Sequence, residues 1–150
     1  MLYTVGEMAR VTDIPASTLR YYDQEGLLPF VSRSKGGIRM FSEADYSTLM
    51  VIDCLKKSGL SIKEIRSFMN LAQEGDSSLK ERQAMFEKRR EAVKEQIQEL
   101  EHTLALLNYK CWYYETAVQA GTEAAVQALC QEEIPEEFRE ARSSLNLKNP

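Results

Sequence analysis

The sequence predicts a mainly α-helical protein: a winged helix-turn-helix domain with a small two-stranded wing, then a long coiled-coil dimerisation helix and a short C-terminal tail. Three observations carry that prediction. Two short helix signatures stand one tight turn apart between Thr4 and Gly26. A basic stretch follows, centred on the pair Gly36-Gly37. Beyond it, a long segment places its apolar residues in alternating steps of four and three, the spacing of a coiled-coil seam.

Thr4-Val5-Gly6-Glu7 is a capping box: the Thr4 hydroxyl accepts from the first helical amides and the Glu7 carboxylate reaches back. The helix it opens puts Val5, Met8 and Ala9 on one face and ends near Val11. Thr12-Asp13-Ile14 make a tight turn, and Pro15 stands at the entry to a second helix, where its missing N–H costs little. That helix holds Leu19 and Tyr22 on one face, with Tyr22 as a core residue, and stops at Gly26. Such a pair is a helix-turn-helix unit, whose second helix commonly enters the major groove of DNA. From Phe30 to Phe41 the chain reads as a two-stranded wing. Its double glycine can take the positive φ of a hairpin loop, with Arg33, Lys35 and Arg39 near the tip. Ser42-Glu43-Ala44-Asp45 caps a third helix running to about Ser58, with Tyr46, Leu49 and Ile52 at helical spacing. Gly59 ends it, and the capping box Ser61-Ile62-Lys63-Glu64 opens a fourth helix that buries Ile62, Ile65 and Phe68.

Ser78-Leu79-Lys80-Glu81 starts the longest element, whose seam is Val93, Ile97, Leu100, Leu104, Leu107, Cys111, Tyr114 and Val118. Towards its start, Leu79 and Phe86 keep the phase while Gln83 and Arg90 take the alternate positions, so only the second half is fully apolar. From Ser78 to Gly121 such a helix spans roughly 65 Å. A lone helix of that length cannot bury a stripe on itself, and the tail, broken at Pro135, is too short to lie along it. A partner chain has to cover the stripe. The expected division is residues 1–75 for the helix-turn-helix domain, 76–121 for the dimerisation helix and 122–150 for the tail. The acidic run Glu132-Glu133-Ile134-Pro135-Glu136-Glu137 reads as a solvated face with a helix break.

The formal net charge of −4 counts, taken alone, against a nucleic-acid partner. Its distribution answers the objection. Residues 1–70 carry nine Lys/Arg and eight Asp/Glu, residues 71–110 seven and eight, and residues 111–150 three and seven. The acidity lies in the tail, and a near-neutral head can bind DNA if its basic side chains share one face. Cys54, Cys111 and Cys130 are odd in number and far apart, which argues against a disulfide framework and fits a reducing compartment. With His102 the only histidine and no cysteine pair at ligand spacing, neither a metal site nor a cofactor is expected. No Ser/His/Asp set, phosphate loop or pair of catalytic carboxylates is present, so no enzyme is expected either. No stretch is long enough to cross a bilayer, and the opening residues lack the blocks of a signal peptide; a cytoplasmic location without a membrane partner follows as an expectation.

On the second helix, Arg20 can reach a phosphate or a guanine edge, and a tyrosine hydroxyl can fix a phosphate. Five segments here form a set: Thr4-Val5-Gly6-Glu7-Met8-Ala9, Thr18-Leu19-Arg20-Tyr21-Tyr22-Asp23, Glu25-Gly26-Leu27-Leu28, Gly37-Ile38-Arg39-Met40-Phe41-Ser42-Glu43 and Gly59-Leu60-Ser61-Ile62-Lys63-Glu64-Ile65. In order and spacing they resemble the MerR family of bacterial regulators, the mercury-resistance-regulator type, over nearly all of residues 3–72. The resemblance implies a non-catalytic transcription regulator, a homodimer joined by an antiparallel coiled coil and bound to double-stranded promoter DNA. It implies further that the promoter spacer is over-long for RNA polymerase, and that a signal makes the dimer bend and untwist it. Such a bend costs on the order of 1–6 kcal/mol. Carried over by position, Thr4, Thr18, Arg20, Tyr21, Arg39 and Lys56 are the implied DNA-contacting set. Ile38 departs from the aromatic residue often found in the family's wing.

The signal is narrowed by elimination among family branches. The start of the long helix has Ser77 and Ser78 where metal sensors carry a cysteine, and the tail has only Cys130, too few for a metal loop or an iron–sulfur cluster. About thirty residues after Gly121 are too few for a separate drug-binding domain. Cys54, within Ile52-Asp53-Cys54-Leu55-Lys56-Lys57-Ser58-Gly59, is similar to the thiol-based, stress-responsive branch that answers aldehydes and related electrophiles. Nearby Lys56 and Lys57 would favour its thiolate. The competing reading makes Cys54 a small buried hydrophobe. Trp112-Tyr113-Tyr114 offers a second candidate, a small-molecule pocket, against the plainer expectation that these rings pack the tail onto the long helix. From another class, a non-catalytic coiled-coil interaction protein would account for residues 78–121 but leaves Arg20-Tyr21-Tyr22 and the basic wing without a purpose.

Overall fold

Three capping boxes set the helices of the N-terminal half. Thr4 and Glu7 cap helix α1 (Val5–Thr12), Ser42 and Asp45 cap α3 (Glu43–Lys57), and Ser61 and Glu64 cap α4 (Ile62–Gln73). In the first and last of these the carboxylate accepts from the cap residue's backbone N–H, which holds the acids of Glu7 and Glu64 below the usual carboxylate range. Helix α2 (Ala16–Gln24) follows Pro15 after a turn in which Asp13 takes the left-handed conformation, φ 57°. The computed structural model describes residues 1–145, and these pack as two units, Met1–Arg90 and a second beginning at Glu91. The last part of the expected tail, residues 146–150, lies outside the described residues.

The wing is a hairpin of β2 (Ser32–Arg33) and β3 (Arg39–Ser42), and its turn is closed by Ser34 N–H to the Ile38 carbonyl at 2.8 Å. Of the two glycines only Gly37 needs its freedom, at φ 77°. A further strand, β1 (Leu2–Thr4), adds to the far edge of β3, so the sheet has the antiparallel order β1-β3-β2 in place of the two strands expected. Three residues carry too little alternation to announce a strand. Its last residue, Thr4, is also the cap of α1, which joins sheet and helix rigidly.

Apolar faces of α1 to α4 and β3 close one core, in which Met8, Leu19, Leu27, Phe41, Leu49, Ile52 and Ile65 are fully buried. Each such side chain contributes about 1.5–3 kcal/mol. Tyr46, expected on the buried stripe of α3, is exposed instead. The stripe begins at Asp45, whose carboxylate is drawn inward by the Ser42 N–H at 2.5 Å, and continues through Leu49, Ile52 and Leu55. After α4 comes a 3-10 turn (Gly75–Ser78), and then the longest helix, α5 (Leu79–Ala120), of 42 residues. Buried Ser78 closes that corner: its hydroxyl lies within reach of the Leu71 and Gly75 carbonyls, and Arg82 bonds both Ser78 Oγ and the Gly75 carbonyl, at 3.0 and 2.7 Å. Phe68 of α4 meets Phe86 of α5 edge to face at 5.3 Å.

In the second unit α5 ends at Gly121, φ 77°, and the chain turns into α6 (Ala124–Gln127), a 3-10 turn (Gln131–Glu133) and α7 (Glu136–Leu145). These pack on one face of α5, where Tyr109, Tyr113 and Ala117 are buried with Val126 and Ala141. The acidic run is not uniformly solvated, since Ile134 is buried and the Glu133 carboxylate caps the turn through the Cys130 N–H at 2.7 Å. On the other face Leu100, Leu104, Leu107 and Val118 stand 68, 55, 57 and 79% exposed. Among the described residues no helix is long and apolar enough to cross a membrane.

Candidate nucleic-acid interface

Burial of Leu19 and Tyr22 fixes which side of α2 faces outward. Tyr22 belongs to the core, and burial raises its phenol, helped by the charge of Asp53. The opposite side presents Arg20 and Tyr21 to solvent, with Thr18 half-buried beside them. An arginine fork and a phenol on the outer face of such a helix are donors for phosphate oxygens and base edges.

Asp23, on the same helix, ties this face to the wing. Its Oδ2 accepts from Arg39 Nε at 2.5 Å and from Arg33 Nη2 at 3.1 Å. Arg39 is therefore not a free surface cation. Its Nε is bonded to Asp23, and its two terminal nitrogens have no hydrogen-bond partner among the described residues. Asp23 thus joins the wing to α2, while Thr4 pairs with Met40 in the neighbouring strand. Thr4's own hydroxyl is committed to Glu7, at 2.8 Å. Lys56 stands exposed in the last turn of α3, outside this bonded group.

Two positioning residues escaped the sequence reading. Asp23 was visible only as part of a motif, and its partners lie ten and sixteen residues further on, a spacing that no helical or strand period marks. Arg66 of α4 is the other: it donates to the Glu25 carbonyl at 2.8 and 2.5 Å and to the Glu25 carboxylate at 3.1 Å. It thus satisfies a backbone oxygen at the end of α2 and pins that end to α4. The C-terminal end of α2 is thus bonded both to the wing and to α4.

Cys54 is exposed on α3, which sets aside the reading of it as a buried hydrophobe. Of the two neighbouring lysines, Lys57 is engaged by Asp53 at 2.6 Å, a bond that raises its ammonium pKa. Lys56 has no ion pair among the described residues. The aromatic group divides: Tyr109 and Trp112 stack, Phe138 packs on both at a tilt and Tyr113 is buried, whereas Tyr114 lies exposed on the seam. Among the described residues no group of three or more His, Cys, Asp or Glu is placed to hold a metal ion.

A winged helix-turn-helix with an outward arginine on its second helix and a basic wing braced against it defines a DNA-binding transcriptional regulator. Comparison with known proteins gives the family. The model described as MerR HTH family regulatory protein matches residues 3–72, and that described as MerR, DNA binding matches residues 46–109. An uncharacterized HTH-type transcriptional regulator of Haemophilus influenzae is 41% identical over 136 residues, 91% of this chain and 98% of that protein. The crystal structure of HiNmlR, described as a MerR family regulator lacking the sensor domain and bound to promoter DNA, aligns with TM-score 0.80 and 41% identity over 90% of this chain and 100% of that one. A MerR family regulator from Bacillus thuringiensis aligns with TM-score 0.68 and 35% identity, over 74% of this chain and 97% of its own. The chain belongs to the MerR family of helix-turn-helix regulators.

The double ion pair makes a prediction. Asp23→Ala should cost about 1 kcal/mol, the scale of a partly exposed pair, and should loosen the wing selectively. Hydrogen exchange is expected to speed up at the amides of β2 and β3 while those of α3 keep their protection. Unchanged exchange in the wing would show that Asp23 does not brace it.

Proposed function

We propose that the chain works as a homodimer that binds double-stranded promoter DNA in a sequence-specific way and distorts an over-long spacer for RNA polymerase in response to an electrophile. Residues 1–75 read the DNA, residues 76–121 dimerise through an antiparallel coiled coil, and residues 122–150 form the tail. The observation that carries this reading is the connected surface of α2 and the wing. Arg20 and Tyr21 face outward there, and Arg39 is pre-aimed by Asp23. Thr4, Thr18, Arg20, Tyr21, Arg39 and Lys56 are the contacts assigned to it. The DNA-bound relative supports the partner, and the exposed seam from Ile97 to Val118 supports the dimer.

Cys54 is the sensor in this reading, and its exposure supports the role. The thiolate sulfur adds to the carbonyl carbon of an aldehyde, the C=O π pair moves onto oxygen, and that oxygen takes a proton from water. Lys56 is the cation available to favour the thiolate. The adduct adds bulk to the last turn of α3, directly before the turn into α4. A change there can alter the DNA bend without loss of binding when the two states differ by only a few kcal/mol.

Binding is tested on a duplex selected from a random library. Arg20→Ala should lose about 1–3 kcal/mol of specific affinity if it reads a base edge, and Lys56→Ala should weaken all sequences alike and lower the salt slope by about one. Affinity indifferent to both substitutions and to salt would remove the proposed surface. The signal is tested separately by in vitro transcription with formaldehyde. Cys54→Ser should bind the same duplex with parental affinity and fail to respond, while Cys111→Ser and Cys130→Ser respond as the parent does. A full response from Cys54→Ser overturns the thiol mechanism and leaves the DNA surface standing.

A further inference from the structure

We infer that the C-terminal unit carries a binding site for a small organic carboxylate, built where α7 folds back onto the end of α5. A cleft of about 320 Å³ opens there between Lys110 and Tyr113 of α5, Val126 and Gln127 of α6, and Arg142 of α7. That size is at the small end of ligand pockets.

Charge gives the site its character. Residues 111–150 hold seven acids and three bases, yet one of those bases, Arg142, lines this cleft together with Lys110. Neither has an ion-pair partner among the described residues. Glu123 is already bonded by the Tyr113 hydroxyl at 2.9 Å, and that bond raises the phenol's pKa. Lys110 is held by aromatic faces instead: its Nζ lies 4.7 Å from the centroid of Tyr113 and 5.8 Å from those of Tyr109 and Tyr114. Arg142 spends one N–H on the Leu129 carbonyl at 2.9 Å, and its remaining donors have no partner among the described residues.

Two cations fixed in place without a counter-ion are complementary to an anion. The planar guanidinium matches a carboxylate or a phosphate. Leu145 decides between them, because it lines the cleft with its side chain about half exposed and offers contact to an organic body that inorganic phosphate lacks. A carboxylate would bridge α5 and α7 through Lys110 and Arg142, with its body on Leu145.

The test needs no DNA, so its failure leaves the regulator reading untouched and the reverse is also true. Trp112 is the only tryptophan and lies against Tyr109 and Phe138, at 6.0 and 5.6 Å. Its indole N–H resonance therefore reports on this unit without ambiguity. The full chain is titrated with sodium benzoate at fixed ionic strength, with sodium phosphate and sodium chloride as parallel arms, and calorimetry alongside. Benzoate should move the Trp112 signal saturably and the inorganic anions should not. Lys110→Met and Arg142→Met should each weaken benzoate by about tenfold or more, and Lys110→Arg should keep most of the affinity. Arg142→Met also removes the bond to Leu129, so Lys110→Met, which breaks no hydrogen bond, is the decisive variant. No saturation, an equal response to chloride or phosphate, or parental affinity in Lys110→Met would overturn the site.

Discussion

One face of α5 is apolar and stands in water, and the rest of the molecule is arranged around that fact. Leu100, Leu104, Leu107 and Val118 are more than half exposed in a single chain. The tail relieves only the opposite face, where Tyr109, Tyr113 and Ala117 are buried against α6 and α7. Burying one such leucine fully contributes about 1.5–3 kcal/mol, so the stripe is a strong drive to association.

The head itself is built to hold its shape. Asp23 clasps the wing, Arg66 clasps the end of α2, and Ser78 with Arg82 closes the corner between α4 and α5. Donors aimed at DNA from a preorganised frame lose little entropy on binding. A stiff head also suits the proposed mechanism, because deformation energy then goes into the duplex and not into the protein.

Much of this was legible in the sequence because it is local. Capping boxes join residues three apart and the buried pair Leu19 and Tyr22 follows helical spacing, so both report contacts between near neighbours, while the seven-residue repeat of the seam marks one face of a single helix. What the sequence hid is what tertiary contact decides. Strand β1 exists because β3 offers it an edge, Tyr46 faces out because Asp45 turns in, and Asp23 meets arginines that only the fold brings near. The exposure of Cys54 was of the same kind, since the next residue of the helix, Leu55, is buried. Family resemblance supplied the proposed contact residues, but it did not show that Arg39 is bonded to Asp23.

The stripe also offers the most direct test of the account. Sedimentation velocity of the parent chain beside Leu100→Glu/Leu107→Glu, run at matched concentrations and followed by DNA binding on the same samples, measures what the seam does. Charge placed at two seam positions should convert a dimer into a folded monomer, with helicity of the head retained and tight DNA binding gone. A parent that sediments as a monomer, or a double variant that remains a dimer, would contradict the assignment of α5 as the dimerisation helix.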